Sequence, residues 1–226
     1  MSWLQIYQMG QKIHRTPEEF TDLKHGQKCD TEQCAQWQND LLRKTGYSIS
    51  GNAWDLKNIK PIYSGYDNTK KPKEFDSASV NNYLKDAADR FFKDFKSQDL
   101  DTTKVYIGNM FYKGSPHQET AFNEGKKGIV GTHTGAIYWK NTTPQSKGKW
   151  IISHNIHGKL IVQPFTEAQG SRGKWGVTAI SEPRKETSLD ALRKNTLNSL
   201  RTLFGKKKHG GKINYIEKYG KYKYIN

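Results

Sequence analysis

The stretch "TEQCAQWQNDLLRKTG", Thr31 to Gly46, sets Cys34 at the head of an amphipathic pattern. A thiol attacks acyl carbons only as the thiolate, so chemistry at Cys34 requires a lowered pKa and a nearby base. A helix N-terminus is expected to lower the pKa through its dipole and free N–H groups. The same groups can hold the oxyanion of a tetrahedral intermediate, typically worth about 3 kcal/mol per donor. Seven histidines compete for the role of base. Strand alternation puts His133 of "GTHTGAIYW" on the face of Gly135, Ile137 and Trp139, and His154 of "WIISHN" beside Ile152 and Trp150. Two imidazoles on consecutive strands thus face one place, expected to be the mouth of the Cys34 helix. Against this stands the common fate of free cysteines, which are usually buried and inert.

The elements that must position these residues follow from period and punctuation. Cys34, Trp37, Leu41 and Leu42 recur at helical spacing, Thr31 and Glu32 suit a helix opening, and Gly46 stops it. A second helix follows from Val80, Tyr83, Leu84, Ala87, Ala88, Phe91 and Phe95, with Ser77 or Ser79 as cap. Residues 47–76, rich in Gly, Asn, Pro and Tyr, read as loop. Five strands then follow: 104–112, 128–139, 149–155, 159–165 and 174–181. Helices followed by a strand meander predict an α+β domain with an antiparallel sheet, spanning 1–182. Beyond it, 183–226 is expected to hold a helix over "SLDALRKNTLNSLRTLF", with Thr187 and Asp190 as a capping box. A tail with seven Lys against one Glu from Gly205 onward follows, interleaved with Tyr215, Tyr219, Tyr222 and Tyr224.

Cysteine at the start of a helix, then "HTGAIYW" and "WIISHNIHGKLIV" on successive strands, resembles the NlpC-type and CHAP-type cell-wall cysteine peptidases and amidases. The resemblance covers roughly residues 30 to 165 and implies a papain-like domain, with the helix-borne cysteine packed on the sheet. It implies Cys34 as nucleophile, His133 as base and His154 as the residue that orients it. Asn155 is the substitute orienter, because a one-residue register slip exchanges the two faces. Gly108 and Asn109 stand where the family often has a Gly-Asp pair. Gln27 or Gln33 would add a side-chain donor to the oxyanion site, and Trp54 and Tyr47 would line the cleft.

With two cysteines the chain has no disulfide framework, and the C-x4-C spacing of Cys29 and Cys34 is unusual for zinc. No cofactor and no metal is expected; Cys29 has no assigned role. The formal charge of +15 predicts attraction to polyanions: cell-wall polymer, nucleic acid or anionic membrane surface. No apolar run approaches the roughly 20 residues of a membrane span, and no secretory signal is visible at the start. The leading expectation is a peptidoglycan hydrolase, amidase or endopeptidase, carried by a phage virion or released at lysis. The C-terminal tail reads as a solvated charge run, a binder of anionic cell-wall or nucleic polymer, or a dock onto a larger assembly such as a virion. The alternative is a non-enzymatic basic virion or nucleic-acid-binding protein. A papain-like acyltransferase or deamidase would use the same triad.

Overall fold

The computed structural model describes residues 18–54, 59–125, 130–141, 148–165 and 175–185. The helix expected at 188–204 and the basic tail lie outside the described residues. The fold is α+β. Its helices are α1 (Glu18–Thr21), α2 (Cys34–Lys44), α3 (Ser77–Asp94) and α4 (Gln118–Glu124). Its strands are β1 (Tyr47–Ser48), β2 (Ile59–Ser64), β3 (Val105–Tyr112), β4 (His133–Lys140), β5 (Lys149–Ile156), β6 (Lys159–Pro164) and β7 (Trp175–Lys185). All strand pairs are antiparallel, in the order β1-β7-β3-β4-β5-β6, with β2 also on β7. The expected domain end at 182 falls inside β7, which runs on to Lys185.

The two long helices cover opposite faces of this sheet. α3 buries Val80, Tyr83, Leu84, Ala87, Ala88 and Phe91 at spacings of three and four. Phe91 packs edge-on to Tyr63 and Phe92, stacks on Phe95, and shares a cluster with Ile137 and Ile152. Burying such a ring stabilises by roughly 1.5–3 kcal/mol. The N-cap is Asp76, whose carboxylate accepts from the Ser79 N–H, rather than Ser77 or Ser79. On the other face, Leu42 of α2 packs with Ala136, Tyr138 and Ile151.

The buried stripe of α2 is Ala35, Gln38, Asn39 and Leu42. Its period agrees with the sequence reading, but its phase is turned, because two of the inward positions carry amides. Both amides bond: Gln38 accepts from the Thr134 hydroxyl at 2.6 Å, and Asn39 donates to the Gly51 carbonyl. Gly46, at φ 86°, ends the helix with its N–H on the Arg43 carbonyl.

The stretch 47–76 is not all loop. It contains β1 and β2, and Pro61 hid the latter. A proline cannot donate to a ladder, so it reads as a strand breaker. Here it lies in a strand paired only with β7, at a register shift between Pro61 and Tyr63. The short α4 spans seven residues between β3 and β4.

Candidate active site

β4 and β5 are paired from Ala136–Ser153 outward, while His133, Thr134 and Gly135 pair only with β3. The ladder is therefore open where β4 begins. Into this opening comes the first residue of α2: the Cys34 sulfur lies in hydrogen-bond contact with the N–H of Thr134, the residue after His133. One turn along α2, the Gln38–Thr134 bond fixes helix against strand across 96 residues of sequence. Cys34 and His133 line one cleft of about 530 Å³ together with Gln33, Thr132 and His157.

The helix start carries no cap from its N-cap side chain, that of Gln33. No acid sits in the first turn, and the first intrahelical N–H to find a carbonyl is that of Trp37. The Cys34 and Ala35 N–H groups meet the Cys34 sulfur, and a helix start of this kind favours an anion. Gln33 lines the cleft and Gln27 does not; the Gln27 amide oxygen instead accepts from the Lys24 N–H. Thr132 adds a buried hydroxyl with no partner among the described residues.

His133 and His154 meet directly, Nε2 of the first lying 2.8 Å from Nδ1 of the second. This leaves His133 Nδ1 as the nitrogen free for a thiol. Asn155 does something else: its amide donates to the Thr31 carbonyl at 2.6 Å and accepts from the Gly158 N–H. It ties the loop ahead of Cys34 to the β5–β6 turn, where His157 holds φ 48°. Cys29 packs in the core with its N–H on the Gly158 carbonyl, and both cysteines are free thiols.

The far wall is held by buried amides. Asn109 Nδ2 donates to the Ala53 carbonyl at 2.7 Å, and its oxygen accepts from the Tyr66 hydroxyl. Trp54 lines the cleft and donates to Glu124 of α4. Tyr47 does not line it; it is buried with Leu42 in the core. Among the described residues, no group of three or more metal-ligating side chains occurs. No helix among them is long and apolar enough to cross a membrane.

Burial decides the protonation states. It pushes the Cys34 thiol up, against the pull of the Thr134, Ala35 and Cys34 N–H groups. It pushes His133 well down, with His154 and His157 adding to the effect. His154 falls to about 4, from burial and then His25. The helix start does not outweigh desolvation, so the resting pair is a neutral thiol and a neutral imidazole.

These shifts have a stability consequence. Both histidines bind fewer protons in the folded chain than in the unfolded chain, so their contribution is full above about pH 6.5 and is lost as pH falls toward 4. For His154 alone the loss is on the order of 3 kcal/mol, at about 1.4 kcal/mol per pH unit. Urea midpoints should fall steadily from pH 7 to pH 4, and His154→Gln should flatten that slope. An equal slope in the variant would refute the assignment.

The chain matches no family model, and no curated protein or solved structure matches it significantly.

Proposed function

We propose that the chain is a papain-like cysteine hydrolase that cleaves amide bonds of peptidoglycan through Cys34, His133 and His154. The observation that carries the reading is a thiol at a helix start without a side-chain cap, sharing a cleft with an imidazole whose Nε2 is held by a second histidine. A helix-borne cysteine packed on an antiparallel sheet agrees with an NlpC-type domain. The charge of +15 agrees with an anionic wall as partner.

In this mechanism the Cys34 proton passes to His133 Nδ1 as sulfur attacks the substrate carbonyl carbon. The S–C bond forms, and the oxyanion faces the N–H groups at the start of α2 and the Gln33 amide. Collapse breaks the C–N bond, and the imidazolium gives its proton to the departing amine. Water then adds to the thioester, His133 taking its proton. The C–S bond breaks, the carboxylic acid leaves, and the proton returns to sulfur. Because the resting pair is neutral, proton transfer accompanies attack rather than preceding it.

Purified protein should clear isolated bacterial cell walls, and Cys34→Ala should not. Equal clearing by both, or by neither, removes the proposal. The second reading, a basic nucleic-acid-binding or virion protein, is favoured by the charge alone and predicts binding with a steep salt slope.

A further inference from the structure

We propose that Trp175 is a positioning residue of this site: its indole face receives the Nε2–H of His154 and thereby holds both histidines in the tautomers that leave His133 Nδ1 free. The inference rests on the reading of His133 as a base.

One proton is shared between His133 Nε2 and His154 Nδ1 across 2.8 Å, so one nitrogen donates and the other accepts. Were His154 the donor, His133 Nε2 would be bare and its own proton would sit on Nδ1. That nitrogen could then take nothing from the thiol. For His133 to act as base, its Nε2–H must donate, His154 Nδ1 must accept, and the His154 proton must sit on Nε2. His154 is fully buried, and its Nε2 has no hydrogen-bond partner among the described residues. A buried N–H without an acceptor costs about 1–3 kcal/mol, so the competing tautomer gains unless something receives that proton.

Trp175 supplies an aromatic ring beside His154. Its ring centroid is 5.2 Å from that of His154, with the planes at 68°, the geometry of an edge-to-face pair. The indole face carries negative charge in its quadrupole and accepts N–H edges; the bare lone pair of the other tautomer would be repelled by it. The placement is built into the sheet. Trp175 begins β7 opposite Tyr112 of β3, and Tyr112 lies 6.0 Å from the His133 ring. Each imidazole of the pair thus has an aromatic neighbour, Tyr112 from β3 for His133 and Trp175 from β7 for His154.

Histidine-selective 15N NMR of the whole chain at pH 7 reads which nitrogen of His154 is protonated, with His154→Gln assigning the signals. Nε2–H is expected; Nδ1–H overturns the proposal. Trp175→Phe, which keeps a ring face, should retain that tautomer and nearly all of kcat. Trp175→Leu should shift part of His154 to Nδ1–H and lower kcat about three- to tenfold at unchanged KM. A Leu variant with both properties unchanged overturns the proposal. Should Trp175→Leu fail to fold, the wild-type and Trp175→Phe spectra decide, since loss of Nε2–H in the Phe variant is equally fatal. If the wild-type chain hydrolyses nothing, the reading of His133 as base fails, while the His154 spectrum still answers for Trp175.

Discussion

His133→Gln is expected to lower wall hydrolysis by about 10³-fold or more, with the melting temperature little reduced. The resting pair is a neutral thiol and a neutral imidazole. Burial holds the Cys34 thiol protonated at pH 7, so attack requires a base within reach of that proton. His133 lines the same cleft, and its Nε2 is engaged by His154. Glutamine keeps a polar head near His154 Nδ1 but takes no proton. Turnover at neutral pH should therefore collapse and recover in part as pH rises past the thiol's raised pKa. Iodoacetamide should follow the same rule in the native chain: slow at pH 7 and faster well above pH 9. A variant with near-native turnover at pH 7 would show that Cys34 gives its proton elsewhere.

Gly65→Ala is expected to destabilise the chain by about 3 kcal/mol, the upper end for overpacking against backbone. A Cβ at this position would stand 1.9 Å from the Ala87 carbonyl oxygen and 2.7 Å from the Phe91 nitrogen. Both are backbone atoms of α3, so no rotamer change relieves the contact. The approach is anchored from both sides: the Gly65 N–H donates to Thr178 and its carbonyl accepts from Arg90 Nε at 2.8 Å. Moving α3 outward would also loosen Phe91 from its aromatic neighbours. Chemical denaturation at pH 7 reads the effect; an unfolding free energy within about 0.5 kcal/mol of native, the range of ordinary surface changes, would contradict so close a contact.

Much of the fold was legible because its signals are local. The period of α3 and the alternation of β3 to β6 lie within single segments, and the bounds of these strands are met within one residue except that β4 begins at His133 rather than at 128. β2 escaped because Pro61 is acceptable only where a strand lacks a neighbour, a fact about the sheet. The α2 stripe was mis-phased because Gln38 and Asn39 look solvent-facing until their partners, Thr134 and Gly51, are known. Asn155 and His154 could not be told apart by type, since their roles differ only through the Thr31 carbonyl and the His133 ring.

By itself the sequence determined which chemistry is available: one cysteine opening a helix, two strand histidines, and a strongly basic chain. Tertiary structure alone decided that the ladder opens beside Thr134, that Nε2 of His133 is the nitrogen already taken, and that Trp175 faces His154. It also decided the thiol's protonation, since burial raises the pKa that a helix start would lower. The reason is physical. A helix start acts through its own residues, whereas desolvation depends on everything the fold packs around the sulfur, and here burial is the larger effect.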